Sequence, residues 1–110
     1  MAKDLDWANL PFGYRETDKS FVAHWKDGAW DAGELTGDHT VTISECAGGL
    51  QYAQTCFEGL KAYTTADGKV VTFRPDLNAD RMKDSCERLE MPVFPKDRLG
   101  MVGRTQINNE

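Results

Sequence analysis

The sequence has 110 residues, enough for one domain and too few for two. Its 40% hydrophobic content, with three Trp, five Phe and three Tyr, excludes a disordered chain, and at this length a modest core is possible without covalent staples. A formal charge of −5 excludes nucleic acid or an anionic membrane as a general partner, while leaving room for a single arginine to hold one phosphate.

Three cysteines, Cys46, Cys56 and Cys86, make neither an even framework nor a C-x-x-C pair, so reduced, partly buried thiols are the expectation. His24 and His39 are too far apart to suggest a metal site, and none is expected. No apolar run reaches membrane-spanning length, and Met1 to Asp6 lacks the apolar stretch of a secretory signal. A cytoplasmic protein without a membrane partner is therefore expected.

Taken in order, residues 1–20 read as an irregular lead-in, broken by Pro11 and Gly13. Phe21 to Trp25, rich in aromatic and β-branched residues, predicts a strand; Asp27-Gly28 predicts a turn with Ala29-Trp30 returning from it. Gly33 to His39 is polar and glycine-interrupted, hence loop. Thr40 to Ser44 alternates strictly, which predicts a half-buried strand with Val41 and Ile43 on one face. Gly48-Gly49 reads as a turn, with close approach to a ligand as the sharper alternative.

From Glu58 the signals strengthen. Leu60, Ala62 and Thr64 alternate with Lys61 and Tyr63, Asp67-Gly68 marks a hairpin, and Val70 to Phe73 returns. Arg74 precedes proline and is expected to be extended, ending the strand. Pro75 suits a helix start, with Asp76 or Asn78 available as a cap. The helix is expected to run to about Leu89, with Ala79, Met82, Cys86 and Leu89 forming one stripe against a sheet, and Met91-Pro92 stopping it. Residues 99–110 carry no period and read as a tail. No repeat, low-complexity tract or internal boundary is evident.

Arg81 is the most informative single residue. It falls in the first turn of the predicted helix, where the helix dipole disfavours a cation, and it has two readings: bridging an anion at the helix mouth, or pairing at the surface with Asp84. Tyr52 and Phe57 either line a pocket or join the core. Glu58 is either a general base or a hydrogen-bonded structural carboxylate, and Lys61 either forms an imine or is solvated.

Several segments together are distinctive: Tyr52-Ala-Gln-Thr-Cys-Phe-Glu-Gly-Leu-Lys-Ala-Tyr63, Asp67-Gly-Lys69, Phe73-Arg-Pro-Asp-Leu-Asn-Ala-Asp-Arg-Met82, Ser85, and Arg88-Leu-Glu-Met-Pro92. In this order and spacing they closely resemble the branched-chain amino-acid aminotransferases, pyridoxal-phosphate enzymes of class IV and fold type IV. The likeness covers roughly residues 5 to 98. It implies an α+β small N-terminal domain over residues 1–98, an antiparallel sheet against helices, packed in the family on a larger domain with the cofactor between them. It also implies that Arg81 holds the cofactor phosphate, that Phe57 shields the substrate side-chain pocket, and that Tyr52 contributes to that pocket across a dimer interface. Phe12, in Pro11-Phe-Gly13, is implied as a further wall residue.

The family's imine-forming lysine lies in the larger domain, and none of this chain's seven lysines stands in the matching motif. The resemblance therefore implies part of an enzyme that transfers amino groups between Leu, Ile or Val and 2-oxoglutarate, without turnover by this chain alone. Two other expectations compete: a non-catalytic domain that dimerises, or a related class IV enzyme such as a D-amino-acid aminotransferase or an aminodeoxychorismate lyase.

Overall fold

A computed structural model describes Trp7–Asn9, a single 3-10 turn, and residues 13–99. Phe12 and almost all of the expected tail lie outside these residues. Where no internal boundary was expected, the chain forms two compact units that divide between Val41 and Thr42.

In the first unit, β1 (Ser20–Val22) pairs antiparallel with β4 (Glu34–Thr36), setting Phe21 opposite Leu35. Inside that pair, β2 (Trp25–Lys26) and β3 (Ala29–Trp30) form the anticipated tight hairpin. Asp27 and Gly28 both adopt positive φ, 53° and 83°, as a two-residue turn between right-twisted strands requires. The flanking Trp25 and Trp30 rings meet edge to face at 5.6 Å.

The single strand predicted over Phe21 to Trp25 is interrupted because Asp31 intervenes. Its carboxylate accepts the N–H groups of His24 (3.0 Å) and Gly33 (2.9 Å), which together hold it below the usual carboxylate range. The loop predicted over Gly33 to His39 instead contains β4. Gly33, at φ 73° and packed beneath the Phe21 ring, lets the chain re-enter the ladder where a side chain would collide.

Thr40 to Ser44 does not form the predicted strand. Asp38 draws in the Thr40 N–H at 3.0 Å and its hydroxyl at 2.7 Å, and Val41 stays 77% exposed. Alternation specifies a face only when a paired strand and a core exist to receive it.

In the second unit the glycine pair opens a one-turn helix, α1 (Gly48–Gln51), rather than a simple turn. The predicted hairpin forms between β5 (Ala62–Thr64) and β6 (Val70–Thr72). Its connection differs from the first: Thr65 and Lys69 face each other, the Gly68 N–H reaches the Thr65 carbonyl at 3.0 Å, and Gly68 takes φ 87°. Leu60 and Lys61 precede the strand instead of belonging to it, and β5 is exposed throughout.

The long helix α2 (Pro75–Arg88) starts on proline, as read. Arg74 is not extended. It sits in the left-handed region (φ 47°, ψ 55°), and its guanidinium folds onto Asp76 through two hydrogen bonds of 3.2 and 3.1 Å. Asp76 is thereby occupied, Asn78 reaches elsewhere, and neither caps the helix. At the other end Glu90 takes φ 56°, the Glu90 N–H bonds to the Glu87 carbonyl (3.2 Å) and the Met91 N–H to the Cys86 carbonyl (2.8 Å). That is a Schellman close with glutamate where glycine is usual. Short antiparallel ladders and helices thus give a small α+β arrangement.

Candidate functional site

The apolar stripe of α2 is real, with Ala79 and Cys86 buried. Met82 and Cys86 of the stripe meet Cys56, in a segment over residues 54–59, where a sheet was expected. The Gln54 amide donates to the Leu89 carbonyl at 2.9 Å. Cys56 Sγ lies 3.5 Å from Met82 Sδ and 3.8 Å from Cys86 Sγ. The Glu58 carboxylate accepts from Asn78 Nδ2 at 2.9 Å and from Arg81.

Every second residue of the segment, Gln54, Cys56 and Glu58, thus meets α2 or its C-cap, running from the end of the helix toward its start. The same parity turns Phe57 outward between Cys56 and Glu58.

Glu58 is the best-anchored polar group of the cluster. Its side chain is only 10% exposed, and it accepts from Arg81 Nε at 2.7 Å and from Arg81 Nη2 as well. Asn78 Nδ2 also donates to the Gly59 carbonyl at 2.8 Å, pinning the backbone beside the carboxylate. The Arg81 hydrogen bonds, seconded by Asn78, hold the Glu58 carboxyl down to about 2. The same partnership raises Arg81, so the pair is ionised at any ordinary pH.

Arg81 stands in the second turn of α2, not the first, so the dipole argument applied to it falls away. Its ionic partner is Glu58, not the Asp84 of the surface alternative. The Arg81 side chain remains 68% exposed, and its Nη1 donors are not among those that Glu58 engages. A fixed planar cation with an open edge suits a phosphate or carboxylate.

Tyr52 closes α1, its N–H on the Gly48 carbonyl at 2.9 Å, and is 85% exposed; Phe57 is 92% exposed. Neither joins the core, so the structural alternative for both aromatics is set aside. Lys61 is exposed, in keeping with its solvated reading. Among the described residues no group of three His, Cys, Asp or Glu side chains could hold a metal ion, and no helix is long and apolar enough to cross a membrane. The bridge made by Asn78 was not anticipated. Its signal was the parity of residues 54, 56 and 58 against helical spacing, legible only once segment and helix are known to be adjacent.

No family model matches the chain. Individual proteins do. A branched-chain-amino-acid aminotransferase of Haemophilus influenzae is 55% identical over 95 residues, 86% of this chain and 28% of that protein. One from Helicobacter pylori is 50% identical over the same shares. The chain matches the N-terminal part of branched-chain-amino-acid aminotransferases. A branched-chain-amino-acid transaminase of Bacillus subtilis is 41% identical over 93% of this chain and 29% of its own length. The chain thus spans between a quarter and a third of these curated relatives, and the matched stretch takes in most of its own residues.

Proposed function

We propose that the chain is the small N-terminal domain of a fold-type IV branched-chain aminotransferase, an enzyme that moves amino groups between Leu, Ile or Val and 2-oxoglutarate with pyridoxal phosphate. The observation that carries the reading is Arg81, held rigid by Glu58 with donors to spare, in a chain similar to enzymes of that name. The donor set fits the cofactor's phosphate: a planar guanidinium, already oriented, on a helix anchored by its own polar contacts.

When bound, the cofactor supplies the electron sink for amino transfer. Arg81 would fix the phosphate through the N–H groups that Glu58 leaves open. Glu58 and Asn78 would hold the guanidinium plane, so that little is lost in ordering it on binding. Phe57 and Tyr52, both exposed, would offer aromatic surface to a branched aliphatic side chain, with Phe12 as a further wall. A cytoplasmic homodimer, with Tyr52 serving the partner's pocket, completes the reading.

The lysine that the chemistry needs is not among this chain's residues on that reading, so the isolated chain should not turn over. A coupled glutamate assay with pyridoxal phosphate checks this, and clear activity would overturn the point. Phosphorus NMR of pyridoxal phosphate titrated with the chain should show broadening that Arg81→Ala removes. Equal broadening with and without Arg81 would sink the phosphate role.

The exposure of Tyr52, Phe57, Tyr63 and Phe73 favours a second reading, a non-catalytic module that pairs with another copy. Size-exclusion chromatography at two concentrations tests the pairing, and a monomer at both counts against it.

A further inference from the structure

The sulfur cluster beneath the segment is not used by the function proposed above. Cys56 Sγ and Cys86 Sγ stand 3.8 Å apart although 30 residues separate them in sequence, with Met82 Sδ 3.5 Å from Cys56. Both thiols are free, Cys86 buried and Cys56 half-exposed at the edge of the cluster. The third cysteine, Cys46, is exposed.

We propose that Cys56 and Cys86 form a reversible dithiol–disulfide site whose reactants are small disulfides such as oxidised glutathione. A contact of 3.8 Å between sulfurs is closed by side-chain rotation and a small approach of the segment to the helix. The division of labour follows from burial. Cys56 has the outward access that a bulky disulfide needs. Burial and the neighbouring Cys56 push the Cys86 thiol up, which makes it a poor first attacker and suits it to resolving a bond already formed beside it.

The step balances as two exchanges. Cys56 loses its proton to solvent, and its thiolate attacks one sulfur of oxidised glutathione. The glutathione S–S bond breaks, and one glutathione leaves as thiolate to be protonated. Cys86, losing its proton in turn, attacks Cys56 Sγ of the mixed disulfide and releases the second glutathione. The two cysteines give up two electrons and two protons in all, and one glutathione disulfide becomes two thiols. The new bond would fasten the segment bearing Phe57 and Glu58 to the helix bearing Arg81. It does so whether or not Arg81 holds a phosphate, so failure of one proposal leaves the other standing.

The test is incubation of the folded chain with oxidised glutathione, followed by thiol counting and peptide mapping by mass spectrometry. Free thiols should fall from three to one in a monomer, with a Cys56–Cys86 cross-linked peptide that dithiothreitol reverses. Cys46→Ser should leave that cross-link unchanged. Cys56→Ser and Cys86→Ser should each abolish it, the half-exposed Cys56 variant serving if replacement of buried Cys86 impairs folding. In denaturant the preference should move to the shorter Cys46–Cys56 loop, because only the folded chain brings Cys86 near. Cross-links through Cys46 in the folded chain, glutathione adducts that never close, intermolecular dimers, or three persistent thiols would each overturn the proposal.

Discussion

The two units are built by opposite means. The first is a nested pair of ladders, in which β2–β3 closes on Asp27-Gly28 and β1–β4 closes around it. Its side-chain bonds include Asp31 to the His24 and Gly33 N–H groups and, across 19 residues, Ser20 with His39. The second contains a comparable hairpin, yet its candidate site depends on contacts that span 20 to 35 residues, from Asn78–Glu58 to Gln54–Leu89. Short-range ladders stand or fall with turn chemistry, whereas a segment laid along a helix depends on side chains distant in sequence.

All three tryptophans lie at positions 7, 25 and 30, so tryptophan fluorescence reports on the first unit, while helical circular dichroism is dominated by α2 of the second. Gly33→Ala should have the largest effect. A side chain at φ 73° beneath the Phe21 ring costs about 2 kcal/mol or more, and the loss should appear in the fluorescence melt first. Asn78→Ala removes donors to both Glu58 and Gly59. It should cost about 1.5 kcal/mol and move the dichroism melt, leaving the fluorescence melt in place. Equal shifts in both probes would break the comparison by making the chain one cooperative body.

Glu90→Gly should stabilise α2 by about 1 kcal/mol, because φ 56° suits glycine and strains glutamate. A smaller change, about 0.5–1 kcal/mol, is expected for Trp30→Ala, read by fluorescence of Trp25. A last test reads a slope rather than a size. The Glu58 carboxyl is depressed from 4.5 to about 2 on folding, so its stabilisation is complete above pH 4.5 and is lost as pH falls toward 2. Glu58→Gln should flatten the acid limb of the dichroism melt across that window, and an unchanged limb would deny the pair its role.

Local chemistry was readable. Asp27-Gly28, Asp67-Gly68, Pro75 and the Ala79, Met82, Cys86 repeat each specify an element whose backbone geometry is set within a few residues. Thr40 to Ser44 misled because its alternation met no partner, and Gly33 to His39 because β4 is specified by Phe21 and Leu35 facing each other across the ladder. Arg74 misled because a bidentate bond to Asp76 overrode the preference that proline imposes on the residue before it. For Arg81 the surface alternative named Asp84 where the folded chain supplies Glu58, and the first turn of the helix where the residue stands in the second.

The order of residues by itself therefore determined the two turns, the long helix with its apolar stripe, and likeness to the N-terminal part of the aminotransferases. It could not determine which stretch covers that stripe. The folded chain decided this by laying residues 54–59 along the helix, so that Gln54, Cys56 and Glu58 each meet a successive turn while Phe57 is left to solvent. Contacts across 20 to 35 residues leave no local mark, because the free energy that fixes them is realised only once both partners are already in place.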